Sequence, residues 1–247
     1  MRLSMKNSDY ILVNGCSFTY GIGLSKEHGS EEMLSNRYSS LLCEKLGMRD
    51  VNISAPGSCN MRIQRTTIDH ITTGSPNLII CMWSDPPRTE IFRPQESEYQ
   101  WLDMAQINPQ SIGKIQSREH KLAFEMYYTF IHSTERGVLH TLDNMQAVTA
   151  LCDAYSIPLI NIHYKDNFKR KFEECVGYSD APSSYIETIQ NKLDYVVENS
   201  YYIDKSFLGL IEEEDLDFGE WSGGHPGFKS HERMADYLYG FIDNVIG

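Results

Sequence analysis

Short apolar runs recur along the chain, each ended by glycine, proline or small polar residues. They are Tyr10-Ile11-Leu12-Val13 before Asn14-Gly15, Val51-Asn52-Ile53 before Ser54-Ala55-Pro56-Gly57-Ser58, Leu78-Ile79-Ile80-Cys81-Met82-Trp83 between Pro76 and Pro86, and Ile157-Pro158-Leu159-Ile160-Asn161-Ile162-His163. Runs of that length with turn residues at their ends predict buried strands. Longer stretches with helical apolar spacing separate them: Glu31 to Leu46, stopped by Gly47; Asn60 to Thr72; about 119 to 155, with a break expected near Gly137; and about 228 to 245. Tyr201-Tyr202-Ile203 reads as a further short strand. Strands that alternate with helices predict a parallel sheet covered on both faces. The expected fold is a three-layer α/β/α sandwich of flavodoxin-like style, forming one domain over residues 1–247. The stretch near 84–118 has no strong period and reads as an insertion, a second insertion, irregular or helical, is expected near 165–200, and long insertions are frequently functional covers.

Composition narrows the class. With 41% hydrophobic and 23% charged residues the chain is globular. A net charge of -12 disfavours a nucleic-acid partner, whose phosphates would be repelled. The basic group Lys165, Lys169, Arg170 and Lys171 is expected to be a solvated helix face, and Glu212-Glu213-Glu214-Asp215 solvated surface. The cysteines at 16, 43, 59, 81, 152 and 175 form no CxxC pair and no zinc spacing. They read as small buried hydrophobes in a reducing compartment, and no metal is expected. The N-terminus lacks the pattern of a signal peptide, and no run approaches the ~20 apolar residues of a membrane span. The expectation is a cytoplasmic protein with no membrane partner. Gly21-Ile22-Gly23 lacks the lysine and spacing of a phosphate loop, and no cofactor is expected.

The candidate chemistry sits where the first strand ends. Gly15-Cys16-Ser17-Phe18-Thr19 places Ser17 at a strand's carboxyl end, where open α/β sheets bind ligands. A serine there is a candidate nucleophile, with backbone N–H groups close by to hold an oxyanion. Loops after the next predicted strands carry Gly57 with Asn60, and then Trp83 to Arg88. Gly223-Gly224-His225-Pro226-Gly227 stands before the last helix. A histidine titrates near neutral pH, so His225 is a candidate general base for Ser17.

The order of these blocks resembles the SGNH/GDSL hydrolase family. Gly15-Cys16-Ser17-Phe18-Thr19 is similar to its nucleophile block, Ala55-Pro56-Gly57-Ser58-Cys59-Asn60 to its second, and His225-Pro226 with Ser230-His231 and Met234-Ala235 to its last. The run Asn14-Gly15-Cys16-Ser17-Phe18-Thr19 also resembles SGNH-like proteins encoded by bacteriophages, which would place the product in a host cytoplasm or a virion. The resemblance implies a serine esterase or acyl hydrolase, such as a carbohydrate O-deacetylase, working through an acyl-serine. Ser17 and His225 would be catalytic, and Ser17, Gly57 and Asn60 would form the oxyanion hole. The substrate would be a small-molecule or glycan ester.

Two positions depart from the family pattern. The aspartate usual three residues before the histidine is replaced by Ser222, which leaves Glu220 or Asp217 as candidate acids to orient His225. The asparagine usual in the third block is missing; Trp83-Ser84-Asp85 stands there, and Ser84, Asn60 or Arg88 are candidates for its role. Trp83, Ser84, Asp85 and Arg88 are candidate substrate-binding residues. Trp83 is read as a sugar platform or as core, and Arg88 as an anion clamp or as a salt-bridge partner of Glu90 or of the 95–103 segment. His163 and His231 read as structural. The departures keep two alternatives open: an inactive SGNH-fold binding module, and an acyltransferase on the same serine.

Overall fold

The computed structural model describes residues 9–94, 99–102, 118–177, 181–219 and 224–245. Its central sheet consists of β1 (Tyr10–Asn14), β2 (Arg49–Asn52), β3 (Leu78–Trp83), β6 (Leu159–His163) and β7 (Tyr201–Ile203). The order is β2-β1-β3-β6-β7 and every pairing is parallel. A separate antiparallel pair, β4 (Ile91–Pro94) with β5 (Tyr99–Leu102), lies within the first expected insertion. The helices are α1 (Ser17–Tyr20), α2 (Glu31–Asn36), α3 (Tyr38–Leu46), α4 (Asn60–Thr73), α5 (Arg118–Met126), α6 (Thr134–Ala154), α7 (Asn167–Gly177), α8 (Ser183–Glu198), α9 (Phe207–Glu213) and α10 (Phe228–Val245).

The apolar runs are near-continuous because β1, β3 and β6 are buried on both faces. Alternate side chains feed two cores, as the pleat requires. Ile11, Val13, Ile80, Met82, Ile160 and Ile162 pack with Tyr38, Leu42, Phe207, Met234 and Leu238 of α3, α9 and α10. Leu12, Ile79, Cys81, Trp83 and Leu159 pack with Ile63, Ile71, Met145, Val148 and Val196 of α4, α6 and α8. The three-layer sandwich is therefore the observed architecture. All six cysteines are buried and free.

The chain runs from β1 outward to β2 and returns to β3 on the other side of β1. That reversal puts a topological switch point at the carboxyl ends of β1 and β3, the place where doubly wound sheets bind ligands.

Two helical expectations need correction. The segment from Glu31 to Leu46 is two helices, because Arg37 is extended (φ -71°, ψ 150°) and turns its guanidinium onto Asp50, 2.8 Å away. The break in the long helical region falls at His132 and Ser133, after a π-helical turn over Tyr127–Ile131, and not at Gly137. Gly137 lies inside α6, where a Cβ would sit 3.2 Å from Pro86 O and Cβ; glycine there lets the helix press against the loop that follows β3. The stretch 165–200 holds α7 and α8, which connect β6 to β7. Among the described residues no helix is long and apolar enough to cross a membrane.

Candidate active site

Ser17 opens α1 directly after β1. Gly15 makes this entry possible: a Cβ there would lie 2.2 Å from Thr19 Oγ1 and 3.1 Å from Met82 Cβ. Asn14, the last residue of β1, holds the turn from below. Its Oδ1 accepts from Gly15 N (2.9 Å), and its amide donates to Ile63 O (3.0 Å), Thr66 Oγ1 (2.9 Å) and Thr67 Oγ1 (2.8 Å) of α4. Asn52 Nδ2 donates to Thr19 O at 3.0 Å and fastens α1 from the β2 side. The loop carrying Ser17 is thereby tied to elements on both sides of β1.

His225 arrives from the far end of the sequence and its Nε2 lies 2.8 Å from Ser17 Oγ. Its loop is pinned as a narrow ribbon: Gly219 N donates to His225 O (2.8 Å), Phe218 pairs with Pro226, and Gly227 N donates to Asp217 O (3.1 Å). Gly219 packs so closely on the loop after α1 that a Cβ would come 2.3 Å from Gly23 O. The Phe18 ring tilts against the imidazole with centroids 5.4 Å apart.

Asp217, a candidate for the acid that orients His225, works at the start of α10. Its Oδ1 accepts from Ser230 N (3.1 Å), and its carbonyl accepts from Ser230 Oγ (2.5 Å). Glu220 and Ser222 lie outside the described residues.

Gly57 adopts φ 78°, a left-handed conformation that favours glycine. The turn around it closes by bonds from Ser58 N (3.2 Å) and Ser58 Oγ (2.9 Å) to Ala55 O, while Ala55 N donates to Gly15 O (3.4 Å). The loop carrying Gly57 therefore abuts the turn at Gly15.

Asn60 does different work from the oxyanion donor expected of it. Its Oδ1 accepts from Ser84 N (2.7 Å), while its Nδ2 donates to Ser84 O (3.1 Å) and to Thr141 Oγ1 (3.0 Å). An amide has two N–H donors, and both are already in use. Asn60 thus clamps the end of β3 by both of Ser84's backbone groups.

Trp83 is fully buried, and its indole N–H donates to Asn161 Oδ1 at 2.7 Å. It is core and presents no face to a sugar, which corrects one of its two readings. Arg88 does not take Glu90, which pairs with Arg65. Its Nη1 donates to Ser84 Oγ (2.8 Å), its Nη2 to Tyr164 OH (3.4 Å), and the guanidinium lies 5.2 Å from the centre of the Tyr164 ring. Asp85 Oδ2 accepts from Tyr164 OH at 2.5 Å. Burial, with Asp85 alongside, pushes the Tyr164 hydroxyl well above the usual phenol range and keeps it protonated as that donor.

The sequence pattern does not mark Asn14 or Tyr164, although both leave a signal in hindsight. Each is a polar-tipped residue at the carboxyl end of a buried strand, where a buried polar group must bond to a neighbour.

His231 and His163 are structural. His231 accepts from Tyr38 N at 3.1 Å and stacks on the Tyr38 ring. His163 stacks on Phe168 at 4.5 Å, and neither of its ring nitrogens has a hydrogen-bond partner. Burial lowers the pKa of both imidazoles to about 3, so both are neutral. Among the described residues no group of three or more histidine, cysteine or acidic side chains could hold a metal.

No protein-family model matches the sequence, and no curated protein is significantly similar to it. Solved structures do match in three dimensions. The chain superimposes on TesA with a TM-score of 0.54 at 13% identity, covering 96% of this chain and 99% of that one. The psychrotrophic esterase EstA from a Pseudoalteromonas species gives 0.52 at 13% identity, covering 96% and 98%. The acetyl xylan esterase Est2A from Butyrivibrio proteoclasticus gives 0.52 at 14% identity, covering 98% of this chain and 66% of that one. The fold is that of the SGNH/GDSL esterases.

Proposed function

We propose that this protein is a serine esterase that removes acyl groups through an acyl-serine intermediate. The observation that carries the reading is the 2.8 Å contact between Ser17 Oγ and His225 Nε2, just past the carboxyl end of β1. A serine hydroxyl is a weak nucleophile until a base takes its proton, and an imidazole is suited to do so near neutral pH.

In this reading Ser17 Oγ attacks the ester carbonyl carbon while its proton moves to His225 Nε2. The carbonyl π pair becomes the oxyanion, which the backbone N–H groups of Ser17 and Gly57 receive. Collapse of the tetrahedral species expels the alcohol, which takes its proton from His225. Water then repeats the sequence on the acyl-serine and releases the carboxylate. Backbone donors fixed before the substrate arrives cost no reorganisation during the reaction, so the rigid turns at Gly15 and Gly57 serve the chemistry directly.

The substrate class we propose is a small acyl group, acetate above all, on a carbohydrate. It draws on the presence of an acetyl xylan esterase among the proteins of the same fold. The test is hydrolysis of p-nitrophenyl acetate, butyrate and octanoate and of acetylated xylan, by wild type and Ser17→Ala in parallel. The reading expects activity on short acyl chains that disappears in the variant. Equal activity in both proteins would remove Ser17 from the reaction.

A further inference from the structure

We infer that the cavity between α4, the loop after β3, the π-helical turn and α6 is a binding site for a carboxylate, held by His132 and His140. It goes beyond the esterase reading and stands without it. Arg88, Tyr127, His132, His140 and Asn144 line the cavity, and among the described residues no aspartate or glutamate does. That lining runs against the composition of the chain, which has 34 acidic side chains and 22 lysines and arginines. The cavity volume is about 20 Å³, above the ~10–15 Å³ that one water needs, so it admits a small polar group and not a whole sugar ring. His140 and Met61 are exposed and mark its mouth.

The walls are fixed by local packing. Tyr128 OH donates to Pro87 O at 2.8 Å and ties the π-helical turn to the loop after β3. Such turns recur at functional sites, and this one ends on His132. The His132 ring stacks on Tyr127 with centroids 6.1 Å apart and meets the Tyr128 ring edge-on at 5.4 Å. On its other side a Cβ at Gly137 would lie 3.2 Å from His132 Cε1, so glycine leaves the ring its place against α6. Asn144 is buried, and its amide spends one N–H on His140 O at 2.6 Å, which leaves a second. Neither the His132 ring nor the His140 ring makes a hydrogen bond among the described residues.

The electrostatics select an anion. Arg88 is partly buried and makes no ion pair among the described residues; the Asp85 carboxylate beside it accepts from Tyr164 OH instead. A cation withdrawn from water is costly until an opposite charge approaches it. Around the two imidazoles the same sign prevails. Burial lowers the pKa of His132 below its ordinary 6.5; Lys171 of α7 and His140 and Arg136 of α6 add to the effect, and Glu135 opposes it. Burial also lowers that of His140, with Arg136 adding and Asp143 opposing. Both rings are therefore mostly neutral at pH 7, each with one N–H to donate. A carboxylate between them favours their charged forms, raises both pKa values and binds with uptake of protons, so its affinity grows as pH falls.

The experiment follows the histidine C2-proton NMR signals of the wild-type protein during titration with acetate, glucuronate, phosphate and chloride at constant ionic strength. The variants His132→Gln, His140→Gln and His225→Gln assign three signals by their disappearance, and unchanged signals from the buried His163 and His231 report an intact fold in each. Acetate or glucuronate should shift the His132 and His140 signals along a saturating curve and leave His163 and His231 in place. The dissociation constant should fall by up to ~10-fold from pH 8 to pH 7 for each proton taken up. Saturation by glucuronate well below the acetate concentration would identify a carboxylate carried on a sugar; saturation by acetate at an equal or lower concentration would identify a free one. Shifts that never saturate, that chloride reproduces or that phosphate alone produces would overturn the assignment. A saturating shift of His225 without His132 and His140 would also overturn it, by placing the anion at the Ser17–His225 pair. The readout is binding, so failure of Ser17 to hydrolyse esters would remove the esterase reading and leave this one standing.

Discussion

Two buried neutral imidazoles make the stability of this protein fall steeply with acid, by an amount the structure sets. His163 has two unpartnered ring nitrogens between Phe168 and Tyr202, and His231 is enclosed beside Tyr38 and Phe207. Burial holds each at a pKa of about 3 in the fold, against an ordinary value of 6.5. Above pH 6.5 neither state of the protein binds the proton, and the histidines contribute no pH dependence. Below it the unfolded chain takes up a proton that the folded chain refuses, so stability drops until the folded pKa is reached. The slope is about 1.4 kcal/mol per pH unit for each histidine. From pH 8 to pH 5 each ring therefore removes about 2 kcal/mol, and the pair about 4 kcal/mol, a large part of a typical folding stability. His163→Phe removes one of them and loses no hydrogen bond. The assay is urea unfolding followed by tryptophan fluorescence, with Trp83 as a probe paired across β3 and β6 with His163 itself. The variant should lose about 2 kcal/mol less than wild type between pH 8 and pH 5. Packing differences between imidazole and phenyl cancel in that comparison, because they are the same at both pH values. An equal loss in the two proteins would refute the reasoning.

Other substitutions test other parts of the structure. Gly15→Ala forces a Cβ to within 2.2 Å of Thr19 Oγ1, and should cost about 1–3 kcal/mol in thermal unfolding and displace Ser17 enough to abolish ester hydrolysis. Asn60→Ala strips partners from the N–H and C=O of Ser84; at about 1–3 kcal/mol per buried polar group left unpaired, it should destabilise by at least about 2 kcal/mol in urea, and a change below about 0.5 kcal/mol would show that the clamp is dispensable. The six buried free thiols should be silent to a thiol reagent in the native protein and all react once it is denatured.

Much of the architecture was legible because burial on two faces writes itself into composition. Ile79-Ile80-Cys81-Met82 has no polar position to misread, and its strand falls where the run predicts. Ser17 and His225 were legible as a pair only through their block order, since 208 positions separate them and no local pattern links them. The helical errors have local causes. Arg37 sits in a stretch with unbroken helical spacing and is pulled out of it by a tertiary bond to Asp50. Gly137 resembles a helix break, yet serves a close contact with Pro86 that only the fold reveals. Asn60 shows the same limit at the site: its residue type fits an oxyanion donor, but its two protons are committed to groups at positions 84 and 141.

The span between Ser17 and His225 also bears on how the protein reaches its working state. β1 is made first, yet it lies inside the sheet and must wait for β2 and β3 to cover its two edges. Ser17 then waits longer for its partner, because His225 lies 208 positions further along. Folds whose contacts join distant segments assemble slowly, since loop closure comes before the contacts that reward it. During refolding, burial of Trp83 by its neighbours should precede the appearance of the Ser17–His225 contact. Labelling of Ser17 by a fluorophosphonate would then serve as a clock for completion of the fold, lagging behind the fluorescence signal of the core.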